Sequence, residues 1–119
     1  LRDMAEDEFL KDRHRQSSAK YNFIAAIEAM IDLGHHLISQ NRFRSPEDYA
    51  DAFAVLAENG VVESDFAEEL KKMARFRNRL VHYYWKVDER EIYTILRTRL
   101  GDFEKFIGQV ARRISEGGQ

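Results

Sequence analysis

One proline in 119 residues, Pro46, leaves two long stretches with nothing that must break a helix. The apolar residues of those stretches recur with helical spacing. Phe23, Ile27, Met30, Gly34 and Leu37 fall at intervals of four, three, four and three, and Ile24, Ile31 and Ile38 widen the stripe. The pattern predicts a long central helix from Ser17 or Ser18, read as its caps, to about Gln40, with Ala25, Ala26 and Ala29 allowing a neighbour to approach closely. After a connection over 41–45, Ser45 reads as a helix cap with Pro46 in the first turn and Asp48 three residues after the cap. The short helix that follows carries Tyr49, Phe53 and Leu56 on its apolar face and stops near Asn59-Gly60. A further helix runs from Ser64 or Asp65 through Phe66, Leu70, Met73 and Phe76 toward Val81. The last begins at Asp88 or Glu89 and carries Ile92, Ile95, Leu96, Leu100, Phe103, Ile107, Val110 and Ile114. The expectation is an all-α, up-and-down bundle of four to five helices. It forms one domain over 1–116, with 117–119 as a flexible tail. Residues 83–87, YYWKV, read as an aromatic helix junction, and Met30 and Met73 as core. The apolar faces of the two long helices are wider than one neighbour covers, so a homodimer is expected.

Composition narrows the chemistry. With no cysteine there is no disulfide and no thiolate nucleophile or ligand. No apolar run approaches a membrane span, and the first residues are too charged for a signal peptide, so no membrane role and a cytoplasmic location are expected. The chain opens at Leu1 within a helical pattern, and residues preceding it are expected. Gly34, Gly60, Gly101 and Gly108 are isolated, without a phosphate-cradling loop, which argues against an NTP-hydrolysing enzyme and against a nucleotidyltransferase. The net charge of −2 makes no case for a nucleic-acid partner, but its distribution does. Acids dominate 44–70, with Arg44 their one basic neighbour; 71–90 then carries Lys71, Lys72, Arg75, Arg77, Arg79, Lys86 and Arg90 against Asp88 and Glu89.

The chemistry is concentrated in RFRNRLVHYYWK, residues 75–86. His82 is the side chain there that exchanges a proton near neutral pH without a large shift. Asn78 and His82, four apart, share a helix face, whereas Arg77 and His82, five apart, lie roughly 140° apart on a continuous helix. They meet at one phosphate only if the helix ends or bends around Leu80 to His82, or if a second subunit completes the site. Trp85 and Tyr83 read as core or interface anchors.

This stretch resembles the motif of HEPN domains, specifically the HepT-like toxins of prokaryotic toxin–antitoxin systems: an arginine, four to six residues, a histidine, one residue and a tyrosine. It stands here as Arg77, Asn78, Arg79, Leu80, Val81, His82, Tyr83, Tyr84, preceded by IEAMIDLGHH on the long helix. The resemblance implies a dimerising bundle that brings two motifs to one cleft, metal-independent RNA cleavage with no cofactor, and a small nucleotidyltransferase antitoxin as partner. In part of the family that antitoxin adds AMP units to the tyrosine corresponding to Tyr84. Arg77 and His82 are the expected catalytic pair, with Asn78, Arg79, Tyr84 and Asp32 binding substrate or supporting. Such a pair has a chemical rationale: RNA carries its own 2′-OH nucleophile, His82 can move its proton, and the Arg77 fork can hold two phosphate oxygens.

Two other readings stand beside this one. Arg77 and His82 could cap a helix end and pair with acids of a preceding helix, or the fold could serve as a catalytically inactive module that binds RNA, nucleotide or partner. Glu28, Asp32, His35 and His36 do not form a recognised metal motif, and an acid among them suits the support of Arg77 or His82 better. His14, between Arg13 and Arg15, reads as surface charge.

Overall fold

The computed structural model describes residues 5–82 and 87–115. Five helices are found among them: α1 Glu6–Lys11, α2 Arg13–Gln40, α3 Tyr49–Glu58, α4 Ser64–His82 and α5 Glu89–Ser115. The expected tail 117–119 lies outside the described residues, as do Tyr83, Tyr84, Trp85 and Lys86. The all-α expectation holds. No helix among the described residues is long and apolar enough to cross a membrane.

Helix α2 is the spine and touches each of the other four, while α3 packs most extensively on α4. Its stripe of Ala19, Phe23, Ile27, Met30, Ile31, Leu37 and Ile38 is buried as the periodicity requires. Aromatic edges lock the layers. Phe23 meets Phe76 of α4 edge-on at 5.6 Å and Phe103 of α5 at 6.1 Å, and Phe53 of α3 meets Phe106 of α5 at 5.7 Å.

The helix starts differ from the sequence expectation. Helix α2 begins four residues before Ser17, because the Asp12 carboxylate accepts the Arg15 N–H at 3.0 Å; Ser17 and Ser18 are exposed inside the helix and cap nothing. Helix α3 is capped by Asp48, whose carboxylate accepts the Asp51 N–H at 2.7 Å, so Ser45 is not the cap and Pro46 stays in the connection. In each case an aspartate takes the role assigned to serine, Asp12 ahead of Ser17 and Asp48 after Ser45. The expected contact face of α2 is also corrected. Ala25 and Ala29 are exposed, and the close approach is made by Gly34, where a Cβ would lie 3.2 Å from Leu56 Cδ1 of α3.

Helices α2 and α3 end in the same hydrogen-bonded motif. Phe43 N–H reaches Ile38 O at 3.0 Å and Arg42 N–H reaches Ser39 O at 3.3 Å; Val61 N–H reaches Leu56 O at 2.9 Å and Gly60 N–H reaches Ala57 O at 3.1 Å. The motif needs a left-handed residue, supplied by Gly60 at φ 75° and by Arg42 at φ 57°. A Cβ at Gly60 would meet nothing within 4 Å, so the penalty of Gly60→Ala is conformational alone. That variant is expected to lose about 1–2 kcal/mol in urea unfolding.

The connection before α3 is held by a charge clamp. Arg44 donates to both oxygens of Asp51 at 2.7 and 3.0 Å and to both of Glu58 at 2.9 and 2.8 Å, tying the two ends of α3. Hydrogen bonds from Arg44, then from the Glu47 N–H, hold the Asp51 carboxyl down from its usual 3.8 to about 2, and the Arg44 bonds lower Glu58 as well. Acids depressed on folding stabilise above their unfolded pKa, and that contribution is lost as pH falls from about 4 toward 2. An acid titration of Arg44→Ala is therefore expected to show a shallower loss of stability across that window than the wild type.

Candidate functional site

The last turns of α4 face the first turn of α3 across an open cleft of about 500 Å³, lined by Asp48, Tyr49, Arg77, Asn78, Val81 and His82. Helix α4 runs without interruption from Ser64 to His82, the last described residue before 87. Arg77 and His82 border the same cleft with no bend in the described helix, so the two side chains share it although the sequence geometry sets them apart around the axis. Asn78 and His82 are four residues apart on one face; Arg77 reaches the cleft by its length.

Three groups fix the Arg77 guanidinium, whose side chain is only 12% exposed. It forms an ion pair with Glu28 of α2, donates to Asn78 Oδ1 at 2.9 Å, and lies over the Tyr49 ring with its carbon 5.2 Å from the centroid. Its Nε is buried without an acceptor among the described residues. A buried cation needs a paired charge, and α2 supplies it. His82 is exposed on the final turn.

Asp32 is exposed one turn beyond Glu28, and the two share a smaller cleft of about 230 Å³ with Ile31 and Tyr49. The acid paired with Arg77 is therefore Glu28, and Asp32 is its neighbour. Arg79 lies apart from the cleft. It donates to both oxygens of Glu91 on α5 at 2.8 and 3.1 Å and sits over the Phe76 ring, and those hydrogen bonds raise its pKa. Its observed part is to tie the end of α4 to the start of α5, beside the 2.9 Å Lys20–Glu89 pair. His35 turns its ring toward Tyr49 at 6.1 Å, while His14 and His36 are exposed. No group of three or more acids or histidines among the described residues is arranged to hold a metal ion. Tyr84 lies outside the described residues.

Sequence reasoning missed Tyr49. It was expected on the buried face of α3, yet it is 44% exposed, because the helix starts at this residue and its ring projects beside Arg77. The displaced cap is the signal that would have found it: moving the helix start from Pro46 to Tyr49 puts the tyrosine in the first turn.

Comparison with known proteins agrees with the motif. A family model, ribonuclease HepT-like, matches residues 1–110. The chain is 32% identical over 100 residues to the mRNA nuclease HepT of Shewanella oneidensis, covering 84% of this chain and 75% of that protein. It is 23% identical over 106 residues to the tRNA nuclease HepT of Aphanizomenon flos-aquae, covering 87% and 71%. The fold superposes with a TM-score of 0.83 on a solved structure of a tri-AMPylated Shewanella oneidensis HEPN toxin in complex with its MNT antitoxin, at 30% identity over 88% of this chain and 79% of that one. With a matching family model over nearly its whole length and a helical bundle that superposes on a HEPN toxin, this chain belongs to the ribonuclease HepT-like family.

Proposed function

We propose that the chain is the ribonuclease toxin of a toxin–antitoxin pair and cleaves RNA without a metal ion, using Arg77 and His82. The observation that carries this reading is the shared cleft: a fixed guanidinium in its wall and an exposed imidazole at its rim, on the last turns of one helix. A base removes the 2′-OH proton, the 2′-oxygen bonds to phosphorus, and the P–O bond to the 5′-oxygen breaks as that oxygen takes up a proton. The products are a 2′,3′-cyclic phosphate and a 5′-OH end. His82 serves a proton-transfer step, and Arg77 stabilises the charge that builds on the phosphorane oxygens. Asn78 orients the guanidinium through its 2.9 Å hydrogen bond. Glu28 keeps the cation in place before substrate arrives, and Asp32 and Arg79 serve as outlying supports.

The partner in this reading is a small nucleotidyltransferase antitoxin, and it silences the toxin by transferring AMP to Tyr84 or by binding. Tyr84 follows His82 by two residues in sequence, and an added phosphate would compete with the RNA backbone for Arg77. The half-exposed Ile107 and Ile114 on α5 support a two-fold homodimer, which light scattering at micromolar concentration tests directly. The pairing of Arg77 with Glu28 favours a second reading, an inactive binding module whose arginine is already neutralised.

Incubation of EDTA-treated protein with RNA separates the two. The enzyme is expected to cleave and leave cyclic phosphate ends, and Arg77→Ala or His82→Ala to lower the rate by about 10²- to 10⁴-fold. Folded, unmodified protein that cuts neither total RNA nor tRNA would establish the binding module. With antitoxin and ATP, intact-mass analysis is expected to show added AMP on the wild type and none on Tyr84→Phe.

A further inference from the structure

The arginine of the motif is held partly by a residue far from it in sequence. Tyr49 opens α3, and its ring faces the guanidinium of Arg77 at 5.2 Å while the His35 ring stands 6.1 Å away from it. At 44% exposure the tyrosine contributes little to the core, where Phe53 and Leu56 of the same helix are fully buried. It lines both the cleft of Arg77 and His82 and the smaller cleft of Glu28 and Asp32.

We propose that Tyr49 is a positioning residue for Arg77, its ring serving as the shelf on which the guanidinium lies when it turns from Glu28 to a substrate phosphate. The chemistry of the three contacts differs in the way this role requires. Glu28 neutralises the cation and competes with phosphate for its N–H donors, whereas an aromatic face attracts the flat side of the cation and leaves every in-plane donor available. Asn78 takes a donor on Nη1, and Nη2, which now pairs with Glu28, is the donor that an incoming oxygen would take over. The shelf thus fixes the plane of the fork without spending its hydrogen bonds. The kinetic part of this inference rests on the ribonuclease reading above.

Two measurements test it on the full chain. In proton–nitrogen NMR, the Arg77 Nε–H signal, assigned by its loss in Arg77→Lys, is expected to be displaced by the ring current in the wild type. The displacement should persist in Tyr49→Phe and disappear in Tyr49→Leu. In steady-state cleavage of a short RNA, Tyr49→Leu is expected to lower kcat about five- to thirtyfold with KM nearly unchanged, the rate equivalent of a partly desolvated cation–π contact, and Tyr49→Phe to restore it. A signal unmoved in Tyr49→Leu overturns the shelf. So does a Tyr49→Leu effect confined to KM, which marks a ring that stacks on RNA bases, or a Tyr49→Phe variant as impaired as Tyr49→Leu, which assigns the role to the hydroxyl. Wild-type protein that cleaves no RNA removes the ribonuclease reading, and the NMR signal still decides whether the shelf exists.

Discussion

A cation buried between helices organises this molecule. Arg77 of α4 is nearly inaccessible to water, and a guanidinium in that position is tolerated only with its charge balanced. Glu28 brings the balance from α2, Tyr49 brings an aromatic face from α3, and Asn78 adds an acceptor from α4 itself. One side chain therefore fixes the relative register of three helices and, by the same contacts, one wall of the cleft. The core does not need this arrangement. Phe23, Phe53, Phe76 and Phe106 already interlock the helices, so the polar contacts specify where the arginine sits rather than whether the chain folds.

The charge pattern of the sequence takes a different form once folded. The acidic run and the basic band that follows it are largely spent on each other and on α5: Arg44 on Asp51 and Glu58, Lys71 on Glu68, Lys72 and Arg99 on Glu69, Arg79 on Glu91. These pairs are mostly exposed and individually weak, and their effect is to place helix ends. Arg75, exposed and without an ion pair among the described residues, is what the band leaves for an anion on the outer face of α4. A band that looks in sequence like a continuous phosphate track is thereby interrupted by pairs made within the fold.

Periodicity made the helices legible, because burial of one stripe leaves a mark at every third or fourth residue of α2, α4 and α5. Helix starts were less legible, since Asp12, Ser17, Ser45 and Asp48 are all competent caps, and the choice among them depends on which carboxylate the folded chain brings to a free N–H. The Arg77–Asn78–His82 set could be read from spacing together with the family motif. Glu28 was visible as a candidate acid, although its selection over Asp32 depends on how α2 packs against α4. Tyr49 was hidden by its chemistry: a tyrosine at helical spacing from Phe53 and Leu56 looks apolar, and only the position of the helix start turns it outward.

For Arg77 to grasp a phosphate in the proposed reaction it must give up some of its hold on Glu28, and what that costs falls on the guanidinium, the less exposed partner of the pair. In the proposed reaction a phosphodiester oxygen would take the place of the carboxylate at Nη2, so the incoming anion supplies what the departing one withdraws. The exchange is then close to balanced. In the proposed reaction Glu28 would set a threshold, because a weak or badly oriented anion cannot displace a carboxylate already in place, whereas RNA held along the cleft would bring its phosphate at high effective concentration. The half-exposed state of the Glu28 side chain fits this division of labour, since the released carboxylate can be solvated at once while the arginine stays in its recess. A lysine at position 77 would lack both features, having no planar face to rest on Tyr49 and no fork to divide between two anions, which is the physical reason for an arginine at this point of the fold.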